Sequence, residues 1–313
     1  MARLLARYAD GLFWMGRYIE RAENLARLID VNQSYARDGG GEGWLSLVQI
    51  NADEERFFAR HGQASFAAVT EFYLQDVDNP TSVRFAIKAA RNNARMLRAL
   101  ISTEMWGQIN TVHNWLKELP ATRLTLPELP RLCAAIKEAC QANAGVTEGT
   151  FFRDEGWYFY QIGRHLERAD QTTRLIDVGF RHALAPTADG AGPPVGRWIL
   201  LLRSAAGYHA FRRVHPRDLQ AADVAAFLLL HPAFPRSVAL CVAEIEDLLN
   251  RLRRGYGLRG GAGTLELLDR LRAELPARPP ALLLRGGLHE FLDGIQQQLS
   301  EVSSRLTEEF FPG

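Results

Sequence analysis

Cysteine is scarce in this chain: three among 313 residues, Cys133, Cys140 and Cys241, an odd number with no Cys-x-x-Cys pair. That argues against a disulfide framework or a paired-thiol redox or zinc motif, and reads instead as buried thiols in a reducing compartment. Net charge is nearly absent too, +1 at neutral pH. Bulk electrostatics therefore call for no nucleic acid and no membrane as a partner, and any recognition by charge has to be local. No apolar run reaches the roughly 18 residues of a membrane span. Arg3, Arg7 and Asp10 interrupt the N-terminal stretch where a secretory leader would be continuously apolar, so the expected location is cytoplasmic. The eight histidines have neither His-x-x-x-His nor His-Glu-x-x-His spacing, and the phosphate loop, the dinucleotide glycine fingerprint and the nucleophile elbow are all missing. No metal site and no particular cofactor follow from these residues.

Strand signals are also rare. In their place, apolar residues recur at three- and four-residue spacing over most of the chain. The pattern predicts helices over about 44–60, 64–74, 81–101, 103–118, 127–146, 196–210, 216–229, 233–254, 263–274 and 286–310, besides two longer motif-bearing segments. Breaks fall at Gly39–Gly43, Asn79-Pro80, Pro120–Pro130, Pro186–Pro194, Pro232–Pro235, Gly255–Gly263 and Pro276–Pro280. The Pro186–Pro194 stretch reads as a mobile surface loop. The fold class is all-α.

What the chain does contain is a duplication. Gly16-Arg17-Tyr18-Ile19-Glu20-Arg21-Ala22-Glu23-Asn24-Leu25-Ala26-Arg27-Leu28-Ile29-Asp30-Val31 recurs as Gly163-Arg164-His165-Leu166-Glu167-Arg168-Ala169-Asp170-Gln171-Thr172-Thr173-Arg174-Leu175-Ile176-Asp177-Val178, with ten of sixteen positions identical. Charged residues supply half of those identities, whereas a helix duplicated only for packing would keep its apolar positions. A second segment, Phe72–Val83, aligns with Phe227–Val238 through matching Phe, Leu, Pro, Ser and Val, and each copy leads into a long helix. Two elements in the same order at similar separation predict two helical halves, about 1–148 and 149–313, in one pseudo-two-fold bundle.

On a helix, Arg17, Glu20, Arg21, Asn24 and Arg27 form a polar stripe opposite Tyr18, Ile19, Ala22, Leu25, Ala26 and Ile29. Arg164, Glu167, Arg168, Gln171 and Arg174 repeat that stripe. One reading is a salt-bridge network that fixes how the halves dock. The other is an anion- or phosphate-binding cleft built from the arginines. Because buried ion pairs add little net stability, their retention in both copies favours specificity or ligand binding. If the site is chemical, Glu20 and Glu167 are the acid/base candidates, although flanking arginines would hold them charged. The mid-helix Gly16 points to a close backbone approach or a capped turn. His165 replaces Tyr18 between the copies, and Gln171 replaces Asn24. Arg91 and Glu104 could face the same cleft, with Ser102 or Thr103 capping the helix that carries Glu104.

These residues resemble the bacterial alpha-E family, an all-helical domain with a Glu-Arg motif. The resemblance runs through Leu5–Asp10, Trp14–Asn24, Ala90–Arg95, Ile101–Trp106, Arg153–Trp157, Gly163–Asp170 and Phe234–Val238, in order over nearly the whole chain. Its last segment brings Arg236 into the candidate binding set. One position departs: Asn92 stands where the family tends to have glutamate. The resemblance implies a genomic setting, since such proteins are commonly encoded beside, or fused to, a circularly permuted ATP-grasp-like protein, often with a transglutaminase-like protease nearby. It therefore implies a partnership with an ATP-grasp-like ligase in peptide or amide-bond formation or modification, with a peptide or an acyl phosphate as ligand. A transferase with its own glutamate chemistry and a purely structural scaffold are the alternatives.

Overall fold

The computed structural model describes residues 4–37, 43–119, 124–185 and 195–311. Among these there is no β-strand, and the chain is built from α1 (Ala6–Tyr35), α2 (Trp44–Ile50), α3 (Glu54–Phe58), α4 (Phe66–Thr70), a π-helical turn (Glu71–Gln75), α5 (Val83–Met96), α6 (Thr103–Glu118), α7 (Glu128–Thr150), α8 (Glu155–Leu184), α9 (Val195–Ser204), α10 (Tyr208–Val214), α11 (Ala221–Leu230), α12 (Val238–Tyr256), α13 (Ala262–Glu274), α14 (Pro280–Leu283) and α15 (Leu288–Phe310). The expected loop at Pro186–Pro194 and most of the break at Gly39–Gly43 lie outside the described residues.

Local chemistry sets several helix starts. Ser82, Ser102 and Ser237 each accept a hydrogen bond from the amide three residues on, at the N-termini of α5, α6 and α12. The Ser82 hydroxyl also donates to the Asp76 carbonyl, and the Ser237 hydroxyl donates to the His231 carbonyl, six residues back in both cases. Asp154 caps α8 by accepting from the Gly156 and Trp157 amides. Gly257, at φ 61°, ends α12 in the left-handed conformation that glycine adopts without strain.

Two expected helices are each divided. The segment 44–60 breaks at Ala52, whose φ is 51°, and 196–210 breaks at Ala206, whose φ is 55°. No glycine or proline marks either position itself, so apolar spacing carries straight through them. The stretch expected to run to residue 101 ends at Met96 and passes into a turn.

The core is organised around α1 and α8, each of 30 residues. They lie against each other in parallel. Helix α1 also packs on α5 and α7, and α8 packs on α12 and α15. Helix α5 in turn packs on α6, and α12 on α13. Leu12, Phe13, Ala22, Ala26 and Ile29 of α1, and Ile162, Ala169 and Ile176 of α8, are fully buried. Charged residues of the same helices are buried as well: Glu20, Glu23, Arg27, Glu167 and Arg168. The polar stripe is turned toward the other long helix.

Candidate functional site

The two long helices touch where their glycines are. A Cβ at Gly16 would fall on the Tyr160 carbonyl oxygen, and one at Gly163 would fall on the Phe13 carbonyl oxygen. Each glycine meets the backbone three residues before its counterpart, so the close approach is reciprocal. This close backbone approach brings the neighbouring arginines within reach of the opposite helix.

Their partners are reciprocal too. Both Glu167 oxygens are occupied: Oε1 accepts from Arg21 Nε at 2.6 Å and Gln171 Nε2 at 3.0 Å, and Oε2 accepts from Arg17 Nε at 2.8 Å and Arg21 Nη2 at 3.0 Å. In the other direction, Glu20 Oε1 accepts from Arg168 Nε at 3.0 Å and pairs with Arg236 Nη1 at 2.7 Å. Glu20 Oε2 accepts from Arg168 Nη2 at 2.7 Å and lies 3.5 Å from Arg164 Nε. Arg21 and Arg168 thus each clasp the opposite glutamate with two nitrogens, the geometry in which guanidinium and carboxylate pair most strongly.

Second partners hold this seam in place. Arg17 donates to Ser303 of α15 and lies over the Trp14 ring. Arg168 donates to the Pro235 carbonyl, and Thr172 donates to the Arg236 carbonyl. Arg27 pairs with Glu23, which also faces Arg236 at 3.4 Å, and Arg174 pairs with Asp170 at 3.0 Å. In all, seven arginines are gathered on four carboxylates, Glu20, Glu23, Glu167 and Asp170.

The electrostatics follow from that imbalance. Burial alone would raise the glutamates, but Arg21 and Arg17 hold Glu167 down to about 2. Arg236 and Arg168 likewise hold Glu20 well below the carboxylate range. Arg236 is pulled down to about 10 by burial and by its neighbours Arg27 and Arg168, in spite of Glu20. Arg27 Nη1 is buried with no hydrogen-bond partner. Burial, Arg168 and Arg164 push His165 down to about 3, so its ring is neutral at physiological pH, and its Nδ1 also lacks a partner. Neither glutamate has a vacant oxygen, and among the described residues no group of three or more His, Cys, Asp or Glu is placed to hold a metal ion.

The expected residues therefore divide. Arg17, Glu20, Arg21, Arg27, Arg164, Glu167, Arg168, Gln171, Arg174 and Arg236 meet in this network. Asn24 is buried on α1, one turn past Glu20. Arg91 instead donates to Asn110 and lies over Trp106, and Glu104 is exposed in the first turn of α6. Neither bonds to the seam, because α6 draws Arg91 to its own side. Nothing in the sequence announces that Ser303 reaches Arg17. The three cysteines are free and buried.

The Alpha-E family model, described as a predicted alpha-helical domain with a conserved ER motif, matches residues 4–311. Glu-Arg occurs in the seam as Glu20-Arg21 and Glu167-Arg168. An uncharacterized protein of Mycobacterium bovis and one of Mycobacterium tuberculosis strain CDC 1551 are each 25% identical to this chain over 329 residues. A counterpart from strain H37Rv is 24% identical. Each alignment covers 96% of this chain but 36% of the relative, so the chain spans about a third of the length of the curated relatives it matches. No solved structure matches.

Proposed function

The chain belongs to the Alpha-E family, and from that premise we propose that it is the binding partner of an ATP-grasp-type ligase in peptide or amide-bond formation. In this reading it holds an anionic ligand, an acyl phosphate or a peptide carboxylate, against the α1–α8 seam. The observation that carries it is the surplus of guanidinium over carboxylate along the seam, and where that surplus falls. The buried members balance, Glu20, Glu23 and Glu167 against Arg27, Arg168 and Arg236, as the cost of uncompensated buried charge requires. The excess lies at the edges, where Arg17, Arg21, Arg164 and Arg174 retain 12%, 20%, 26% and 32% side-chain exposure. An anion at those edges would complete the neutralisation. The longer relatives have room for a covalently attached partner, which fits a component that works beside another domain.

In the same reading Glu20 and Glu167 position the arginines and transfer no protons. A group held near 2 with both oxygens occupied is a poor general acid or base near neutral pH. The halves 1–148 and 149–313 are two pseudo-two-fold copies, supported by the reciprocal glycines and the exchanged Arg–Glu pairs, and the seam lies between them. The buried free thiols suit a reducing, cytoplasmic setting.

The test is co-elution of the purified chain with an ATP-grasp-like protein of the kind the family resemblance implies, in size-exclusion chromatography with light scattering. A stable complex at about micromolar concentrations is expected. Two proteins eluting separately would overturn the partnership.

A further inference from the structure

A second charged feature lies away from the seam, on the outer side of α5 and α6. Arg84, Lys88, Arg91 and Arg95 follow one another along α5 at four-three-four spacing, and Arg98 stands in the turn just beyond it. That spacing keeps side chains in one straight line on a helix, the geometry along which a second helix lies. Contacts with α6 fix how the pair meets. Arg84 donates to the Leu116, Lys117 and Leu119 carbonyls at the end of α6, and Arg91 Nε donates to Asn110 Oδ1 at 3.2 Å. Arg91 and Arg98 lie over the Trp106 ring, 5.6 and 5.1 Å from its centroid. Helix α6 therefore runs antiparallel to α5 and sets His113 and Lys117 beside the basic line.

These cations are unopposed. Lys88, Arg95, Arg98 and Lys117 are exposed, and among the described residues no carboxylate lies within ion-pair distance of them or of Arg91. The acids of α6 stand apart. Glu104 shares its side of the helix with Gln108, whose amide donates to the Ala139 carbonyl of α7, and Glu118 is the last residue. His113 feels the result: burial, then Arg91, Lys117 and Lys88, lower its pKa. Like charges one turn apart work against a helix, and the duplicated counterpart does without them. Helix α12 follows the second copy of the Phe72–Val83 segment, and it has Ala239, Ala243, Glu246 and Asn250 where α5 has Arg84, Lys88, Arg91 and Arg95. Charge there is closed internally, with Glu246 3.3 Å from Arg272 of α13. An open line of cations in a molecule of net charge +1 is complementary to a short line of carboxylates.

We propose that the α5–α6 face is a docking surface for an acidic helix of a partner protein, laid along α5 with carboxylates at the same four-three-four spacing. The line is about 16 Å long at the helical rise per residue, so three turns of such a helix cover it. Lys88, Arg91 and Arg95 meet the carboxylates. Other polyanions fit less well. The apolar side of α5, with Val83, Ile87, Ala90 and Ala94, is buried in the core and leaves nothing to insert into a membrane. Guanidiniums already lie over Trp106, and the near-neutral chain lacks the basic excess of a nucleic-acid binder. This face is separate from the α1–α8 seam, and the proposal does not rest on the ligase partnership.

Fluorescence anisotropy of the full chain with a labelled alanine-based helical peptide, carrying four glutamates at four-three-four spacing, tests it. Saturable binding with a dissociation constant of about 100 μM is expected at low salt, weakening about fivefold or more as salt rises from about 20 to about 200 mM. The same residues with the four glutamates consecutive should bind about threefold more weakly. Lys88→Glu combined with Arg95→Glu should remove binding, and it should create binding to the peptide with lysines in place of glutamates. Both side chains are exposed and unpaired, so this variant keeps its fold. Arg213→Glu combined with Arg217→Glu, the same change of charge at exposed positions elsewhere, should leave the affinity within about twofold. No saturation up to about 1 mM, equal affinity for the two glutamate arrangements, or equal loss in both double variants would overturn the proposal. Tighter binding of an oligothymidylate of matched charge would overturn it in favour of a nucleic-acid surface.

Discussion

Glu167 accepts four side-chain hydrogen bonds, three from α1 and one from its own helix. That makes it a clasp between helices before it is anything else. Glu167→Gln removes the charge that compensates Arg17 and Arg21 while keeping the shape, and breaking a buried pair in this way costs about 3–5 kcal/mol. Urea denaturation near neutral pH should show that loss. Acid should act in the same direction. With its folded-state pKa lowered from 4.5 to about 2, Glu167 stabilises the fold fully above pH 4.5, and its contribution drains away as pH falls toward 2. His165, held neutral and lowered from 6.5 to about 3, adds to the same trend, because the unfolded ring takes up a proton between those values before the folded one does. Stability measured against pH is thus expected to fall on acidification through this window. In Glu167→Gln the part of the slope below pH 4.5 should flatten. An unchanged slope there would mean that the carboxylate is not held down by its arginines.

The helix pair depends on backbone contact at two glycines, and it makes an element-scale prediction that propensity alone would reverse. Alanine favours a helix over glycine by about 1 kcal/mol. At Gly145 of α7, where a Cβ would meet nothing within 4 Å, Gly145→Ala should therefore stabilise modestly. At Gly16 or Gly163 the same change sets a methyl on a backbone carbonyl that cannot move aside, and overpacking of that kind costs about 1–3 kcal/mol. Chemical denaturation of the three variants should give one gain and two losses. A gain at all three would show that α1 and α8 are not in backbone contact.

This is also the scale at which sequence reading succeeded and failed. The serine cap at Ser102 was legible, because a cap acts within three residues, whereas the helix that Ser237 caps was started at 233, five residues before its observed start. The breaks at Ala52 and Ala206 were not, since their left-handed backbone is imposed by packing on non-glycine residues. The charged stripe was legible as a motif through its repetition. Whether it docks the helices or lines an open cleft was left between two readings, because periodicity separates polar from apolar faces but does not say which neighbour covers them. Arg91 and Glu104 were grouped with the seam on chemistry alone, and the packing of α5 on α6 separates them from it.

At the scale of the whole molecule, the two long helices and the elements packed on them bring seven arginines to four carboxylates along one seam, with a separate basic face on α5 and α6. A surplus of guanidinium predicts weak, salt-sensitive attraction for anions before any partner is present, since partly exposed charges are screened by added salt. Under the proposed partnership, a ligase would supply the rest of the ligand's contacts. A peptide pool incubated with ATP and the ligase should accordingly give its modified product, read by mass spectrometry, far more efficiently with this chain present than without it.

The central claim, that the seam receives an anion, is tested most directly by titrating the purified chain with acetylphosphonate, a stable mimic of an acyl phosphate. The expected result is saturable binding with a dissociation constant between about 10 μM and 1 mM, weakening as salt is raised. Arg164→Gln and Arg174→Gln, the two most exposed guanidiniums of the network, should each lower the affinity several-fold without unfolding the chain. No saturable binding up to about 10 mM, or binding indifferent to both substitutions, would contradict the claim.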